Sequence, residues 1–265
     1  MTRIAEAFDA AAERGETALV AYLTAGYPTP DDTVPLIHAA ADAGADVVEL
    51  GVPFTDPMGD GPVIQESSRV ALAQGTTIGT VLQLVARARQ DGVTVPIVLM
   101  GYYNPFLHYG LEQLVKDAAG AGADGFVVPD LPPHMADELR AHAGPAGLAT
   151  VFFAAPGSAD ERIRYTAECS TGFLYCLAAE GVTGERAELD PRLTDFLGRV
   201  KARARVPLAV GFGISTPAHV RALRGHADGV IVGSALLRRI GAAPDAAGRV
   251  AATRELIAEL KEAAR

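Results

Sequence analysis

The chain has 265 residues, of which 49% are hydrophobic, and its formal net charge is -9. This length suits one large α/β barrel or two small domains, and the apolar content supports a packed core rather than disorder. The negative charge disfavours general nucleic-acid binding, although backbone N–H groups can still bind a phosphate locally. The two cysteines, Cys169 and Cys176, are too few for a zinc site or a secreted disulfide framework.

The N-terminal residues give no sign of export. Residues 1–8 include Glu6 and lack a continuous apolar core, so they do not resemble a signal peptide. No apolar stretch approaches the roughly 18 residues that a membrane-spanning helix needs. We therefore expect a cytoplasmic protein.

Strand-like and helix-like segments alternate along the chain. Thr2–Glu13 is predicted to form an amphipathic helix that closes the bottom of a barrel, and helical periodicity also marks Thr80–Arg89 and Leu111–Ala119. The predicted strands, which share short apolar runs, are Ala18–Thr24, Val47–Val52, Pro96–Gly101, Gly125–Val128, Ala149–Phe153, Gly172–Leu177, Pro207–Gly211 and Gly229–Val232. Eight strand–helix units predict an α/β fold, a (β/α)8 TIM barrel with an extra N-terminal helix. No Pro-, Gly- or Ser-rich linker divides the chain, so residues 1–265 are assigned to a single domain.

A carboxylate inside the second predicted strand is the first candidate for chemistry. Glu49 lies in an apolar run, where an ionised carboxylate without partners costs on the order of several kcal/mol, so its pKa is expected to rise. The loop of residues 53–62 that follows carries two more acids, Asp56 and Asp60. Active sites of this fold lie at the carboxyl ends of the strands, so this arrangement predicts acid–base chemistry.

Glycine-rich turns follow the seventh and eighth predicted strands. They contain Gly213 and Gly233, and Ser234 is expected to open a helix whose first N–H groups can bind an anion. Two ordinary strand–helix turns would look similar, but their pairing in this register favours a phosphate site, which this fold often places there.

The sixth predicted strand carries a possible pocket residue and leads into a long polar loop. Tyr175 is expected to line a pocket, although a tyrosine on a strand is more often part of the core. Residues 181–191 are predicted to form a lid, with a solvated surface loop as the alternative.

The lysines and histidines disfavour two kinds of mechanism. Lys116, Lys201 and Lys261 all fall in helix-like segments, which makes a Schiff-base aldolase improbable. His108 and His134 fall in possible loops of the active-site face, too few for a metal site, so no metal is predicted. Carboxylates, glycines and apolar side chains remain, a set that suits metal-free acid–base chemistry on a phosphorylated substrate with a flat apolar part.

Several motifs together resemble the tryptophan synthase α-subunit family. The most specific is the segment 48–57 (VELGVPFTDP), followed by the residues 60–62 (DGP). The other motifs are 21–28 (AYLTAGYP), 104–105 (NP), 128–132 (VPDLP), 181–184 (GVTG), 211–215 (GFGIS) and 233–235 (GSA). The resemblance extends over nearly the whole chain.

The resemblance implies retro-aldol cleavage of indole-3-glycerol phosphate to indole and glyceraldehyde 3-phosphate, in the last stage of L-tryptophan biosynthesis. Glu49 would be the general acid and base, and Asp60 would hydrogen-bond the indole N–H. The remaining implied residues contact the substrate: Tyr22, Tyr175 and Phe212 would flank the indole or its glycerol chain, Thr183 would belong to the lid and help to orient Asp60, and Gly184, Gly213, Gly233 and Ser234 would hold the phosphate.

The resemblance also implies a partner. A tryptophan synthase β subunit would assemble with this chain into an α2β2 heterotetramer, and pyridoxal phosphate is expected only in that partner, with no cofactor in this chain. The sequence departs from the family pattern at Gly59, where alanine is common, and at residues 178–180, where serine often precedes arginine. Two alternatives therefore stay open, a stand-alone indole-releasing lyase and a non-catalytic barrel that activates a β-type partner.

Overall fold

The computed structural model of the chain describes residues 2–178, 192–211 and 213–265. Within these residues, eight parallel strands form a closed barrel in chain order, and the last strand pairs with the first. The strands are β1 (Ala18–Thr24), β2 (Val47–Gly51), β3 (Ile97–Met100), β4 (Gly125–Val127), β5 (Ala149–Ala154), β6 (Leu174–Leu177), β7 (Leu208–Gly211) and β8 (Gly229–Val232). The predicted (β/α)8 barrel is confirmed, while the single-domain assignment of residues 1–265 stays a prediction.

The strand boundaries match the predicted ones to within two residues. β1 and β8 have the predicted bounds, whereas the structure begins β3 and β7 one residue later, after Pro96 and Pro207. A proline has no N–H to donate to a sheet, which accounts for both shifts.

Helices surround the barrel. They are α1 (Arg3–Glu13), α2 (Pro30–Asp42), α3 (Pro62–Ala73), α4 (Ile78–Gln90), α5 (Tyr103–Tyr109), α6 (Leu111–Ala121), α7 (Asp137–Ala143), α8 (Asp160–Cys169), α9 (Leu193–Lys201), α10 (Pro217–Leu223), α11 (Ser234–Ala242) and α12 (Ala246–Ala264), with a 3-10 helix at Pro133–Met135. None of the helices in the described ranges is long and apolar enough to cross a membrane.

The N-terminal helix closes the bottom of the barrel, as predicted. The Thr2 hydroxyl caps α1 by accepting a hydrogen bond from the Ala5 N–H at 3.3 Å. On its buried face, Phe8 packs against Phe173, just before β6, with ring centroids 5.6 Å apart. The opposite, carboxyl end of the strands is therefore the end at which a substrate can enter.

Alternation along each strand divides the core into two parts. Val48 and Leu50 of β2 point outward into the apolar layer between strands and helices, whereas Val47 points into the barrel. Glu49 alternates with them and so faces the interior, where its register partners are Tyr22 on β1 and Val98 on β3.

Candidate active site

Glu49 lies inside the barrel near the carboxyl end of β2, and its side chain is 2% exposed. Its Oε2 atom has no hydrogen-bond partner among the residues that the structure describes. Burial, and to a smaller extent the nearby Asp60 carboxylate, raises the pKa of Glu49 to about 8. The group is therefore protonated near neutral pH and can act as an acid there.

Asp60 approaches the same interior from the loop that joins β2 to α3. A turn places it, because its N–H donates to the Pro57 carbonyl at 3.0 Å and its carbonyl accepts from Gln65 Nε2 at 2.8 Å. Burial raises the pKa of Asp60 to about 6, and a hydrogen bond from the Tyr102 phenol opposes the rise. The two acids thus differ near neutral pH, with Asp60 ionised and Glu49 protonated.

Two buried tyrosines flank the acids. Tyr22 and Tyr175 point inward from β1 and β6, and burial raises the pKa of both phenols well above the usual value, with added contributions from Glu49 and Asp60. The rings fit because neighbouring strands carry glycine: a Cβ at Gly51 or Gly211 would lie 2.3 Å from a tyrosine hydroxyl oxygen.

Two aromatic residues near the acids were not predicted. Phe153 of β5 stacks on Tyr175, with ring centroids 4.5 Å apart. Tyr102, which follows β3, is buried, and its hydroxyl accepts a hydrogen bond from the Gly59 N–H at 2.9 Å. The position of each at a strand's carboxyl end is a signal for such residues, but their partners lie far away in sequence.

Three of the predicted phosphate residues, Gly213, Gly233 and Ser234, follow β7 and β8 at the carboxyl end of the barrel. Gly213 has a φ of +106°, a conformation that favours glycine, and Ser234 opens α11 as predicted. A Cβ at Gly233 would lie 3.4 Å from the Tyr22 side chain, so this turn borders the aromatic pocket. The first N–H groups of α11 have no acceptor within the helix and point toward the same turn, which suits an anion.

Three predicted site residues cannot be placed. Thr183, Gly184 and Phe212 lie outside the described residues, as does the predicted lid of residues 181–191.

The three lysines and the two candidate histidines lie in helices. Lys116, Lys201 and Lys261 occupy α6, α9 and α12, as predicted. His108 and His134 lie in α5 and in the 3-10 helix, so the prediction of loops was wrong for both. In the described part of the chain, no three His, Cys, Asp or Glu side chains are grouped so as to hold a metal ion.

Comparison with known proteins gives a consistent result. The family model described as tryptophan synthase alpha chain matches residues 8–265. A tryptophan synthase alpha chain of Roseiflexus sp. (strain RS-1) is 52% identical over 244 residues, which cover 92% of this chain and 94% of that protein. A crystal structure of tryptophan synthase subunit alpha from Legionella pneumophila str. Paris has a TM-score of 0.91 at 36% identity, covering 99% of this chain and 98% of the other. A structure of Mycobacterium tuberculosis tryptophan synthase has a TM-score of 0.91 at 35% identity, covering 100% and 98%.

Proposed function

Since the chain belongs to the tryptophan synthase alpha chain family, we propose that Glu49 and Asp60 carry out its lyase reaction. The reaction is the retro-aldol cleavage of indole-3-glycerol phosphate to indole and glyceraldehyde 3-phosphate. The observation that carries the residue assignment is the pair of buried carboxyls at the carboxyl end of β2. They share one interior, and burial raises the pKa of Glu49 further than that of Asp60.

Glu49 supplies the proton that starts the cleavage. Protonation of indole C3 turns the ring into an electron sink, and the bond between C3 and the hydroxyl-bearing carbon of the glycerol chain then breaks. Its electron pair returns to the ring, and the hydroxyl oxygen becomes the aldehyde oxygen. The Glu49 carboxylate takes up the hydroxyl proton, so the acid is restored at the end of the cycle.

Asp60 stabilises the charge that develops on the ring. Protonation at C3 leaves positive charge on the indole nitrogen, and an ionised carboxylate that accepts a hydrogen bond from this N–H lowers the energy of the intermediate. Asp60 suits this task because its pKa of about 6 leaves it ionised at neutral pH. Tyr22 and Tyr175 supply flat walls for the ring.

The turns after β7 and β8 hold the phosphate end of the substrate. Gly213 and Gly233 allow close approach of the backbone, and Ser234 offers a hydroxyl and the start of α11. The undescribed Thr183, Gly184 and Phe212 are assigned to the lid, the phosphate site and the indole pocket on the family pattern.

The partner is a tryptophan synthase β subunit, with an α2β2 heterotetramer as the assembly and pyridoxal phosphate as the partner's cofactor. An apolar rim, formed by Met58, Leu107 and Met135, supports this proposal. These side chains follow β2, β3 and β4, three adjacent strands, and are 81%, 49% and 62% exposed. Large apolar side chains exposed together at one end of a barrel are typical of a docking surface. The cytoplasmic location stays a prediction.

Indole release tests the proposed function. The purified chain, given indole-3-glycerol phosphate, should release indole slowly and then faster when a β subunit is added. Glu49→Gln should lower the rate about 10²–10⁴-fold or more, as loss of general acid–base catalysis does. Leu107→Asp and Met135→Asp should weaken β-subunit binding at least about tenfold, whereas Tyr165→Asp, at an exposed side chain of α8, serves as the control.

Two other outcomes would favour the alternatives, which the family matches do not support. Full-speed turnover that is indifferent to a β subunit would indicate a stand-alone lyase. No turnover in any mixture, with Glu49→Gln activating the β subunit as well as wild type does, would indicate a non-catalytic barrel.

A further inference from the structure

One phenol touches two consecutive residues of the loop that carries Asp60. Tyr102 follows β3 and is the N-cap residue of α5, and it is buried. Its hydroxyl accepts a hydrogen bond from the Gly59 N–H at 2.9 Å. The same hydroxyl faces the Asp60 carboxylate and lowers the pKa of that group, against the effect of burial. A phenol has one donor and can accept as well, so one side chain can serve both groups.

The Tyr102 ring is itself held in place. It packs against Phe54, with ring centroids 5.5 Å apart and planes inclined by 33°. Immediately after it, the Tyr103 N–H donates to Asp130 Oδ1 at 2.8 Å, which joins the segment after β3 to the segment after β4. The phenol therefore has a fixed position, and the loop that carries Asp60 can be held in place by contacts with it.

We propose that Tyr102 is a positioning residue that holds the Asp60 carboxylate where the indole N–H binds. The proposal rests on the proposed function, because Asp60 needs a precise position only if it contacts the substrate. A carboxylate on a loop can otherwise adopt several rotamers and leave the pocket. Tyr102 removes this freedom from two sides, through the backbone of Gly59 and through the carboxylate itself.

Gly59 fits this arrangement closely. A Cβ at this position would lie 3.3 Å from the Tyr102 hydroxyl oxygen, closer than most such contacts. The absence of a side chain therefore gives the phenol room to reach the backbone N–H beside Asp60.

The hydrogen bond also affects when Asp60 is ionised. Among the residues that the structure describes, the titratable groups that face Asp60 are Glu49 on β2, Tyr22 on β1, Tyr175 on β6 and Tyr102 after β3. Among these, the Tyr102 phenol donates to the carboxylate and favours its ionised form, which opposes the effect of burial on the pKa of Asp60. Deleting the phenol oxygen should therefore raise the pKa of Asp60.

The test is Tyr102→Phe, with Tyr109→Phe as the matched control. The Tyr109 hydroxyl donates to Asp117 Oδ2 at 2.8 Å, so the control deletes the same kind of bond outside the site. Tyr102→Phe should lower kcat/KM about 10- to 100-fold, in keeping with loss of a hydrogen bond to a charged group. The acidic limb of its pH profile should move to higher pH, and Tyr109→Phe should change neither quantity.

Two further measurements distinguish a general loss of structure from a displacement of the Asp60 carboxylate. In the Asp60→Asn background, Tyr102→Phe should cost much less than it does in wild type, because both changes disable the same interaction. Titration of ¹³C-labelled aspartate carboxyls should give Asp60 a higher pKa in Tyr102→Phe than in wild type. This titration needs no turnover, so it judges Tyr102 even if the lyase assignment fails.

An unchanged acidic limb and an unchanged Asp60 titration in Tyr102→Phe would overturn the proposal. Full additivity of Tyr102→Phe and Asp60→Asn would do so as well.

Discussion

At the scale of single residues, Glu49 is held in the folded protein at a cost in stability. The pKa of a free glutamate is 4.5, and burial raises that of Glu49 to about 8. Between these values the unfolded chain ionises while the folded chain keeps its proton. The folded state therefore loses stability relative to the unfolded state as the pH rises from about 4.5 toward 8.

Glu49→Gln should remove this cost along with the activity. The variant should exceed wild type in stability at pH 8 by on the order of a few kcal/mol and come close to it at pH 5. Urea unfolding at both pH values measures the difference, and Glu66→Gln, at an exposed residue of α3, is the control. A gain of equal size at both pH values would mean that Glu49 is not a buried, titrating acid.

The two central residues of the site differ in how far the sequence predicts them. Glu49 stands out locally, because a charge inside an apolar strand needs an explanation wherever the strand lies. Tyr102 stands out less, because its position after a strand is only a general signal and its partner Gly59 is 43 positions away, so that the contact exists only after the loops meet. Aromatic residues after a strand are common, and their hydrogen-bond partners follow from tertiary structure.

At the scale of elements, a charge cluster fastens α12 to the bottom of the barrel. Lys261 Nζ lies 2.7 Å from Asp46 Oδ2, just before β2, and 3.0 Å from Glu16 Oε2, just before β1. All three side chains are at most 10% exposed. Burial favours the neutral form of Glu16, but pairing with Lys261 and Arg14 outweighs it and lowers the pKa of Glu16 to about 2. A pKa lowered on folding gives stability that is present above about 4.5 and lost as the pH falls toward 2.

Lys261→Met should therefore destabilise the protein without changing its chemistry. Removal of Lys261 takes one cation away from Glu16 and Asp46, which both stay paired with Arg14, so we expect a cost of about 1.5–3 kcal/mol, the range for hydrogen bonds to charged groups. The cluster lies at the end of the barrel opposite Glu49, so kcat should stay at the wild-type value. In urea unfolding, the difference in stability between wild type and Lys261→Met should be smaller at pH 3 than at pH 7. Lys201→Met, at a half-exposed pair with Asp228, should change stability little. An equal loss of stability in both variants would mean that burial gives the Lys261 pairs no added effect.

The sequence predicts the bounds of a strand or helix best where local patterns alone determine them. The bounds of β1 and β8 and the start of α11 at Ser234 follow from apolar runs and turn residues. The sequence predicts loops where the structure has the short helix α5 and the 3-10 helix at Pro133–Met135, because segments of seven and three residues carry too little periodicity to recognise.

At the scale of the whole molecule, barrel closure brings the site together. The site combines Tyr22 of β1, Glu49 of β2, Tyr175 of β6 and the turn after β8 that precedes Ser234. These groups meet because all eight strands end at the same rim of the barrel. Strand–helix alternation predicts this closure, and closure predicts which residues share a face. The distances and the side-chain partners come from packing, which no local pattern encodes.

The pH dependence of kcat/KM for indole release by the isolated chain is the most direct test of whether Glu49 and Asp60 carry out the cleavage. Activity requires ionised Asp60 and protonated Glu49, so the profile should be bell-shaped, with limbs near pH 6 and pH 8. The phosphate of the substrate also titrates near pH 6, so the acidic limb is assigned by comparison with Asp60→Asn, which should lack the Asp60 contribution. Indole release should fall on both sides of a maximum near neutral pH. A rate that stays constant from pH 5 to pH 9 would contradict this prediction.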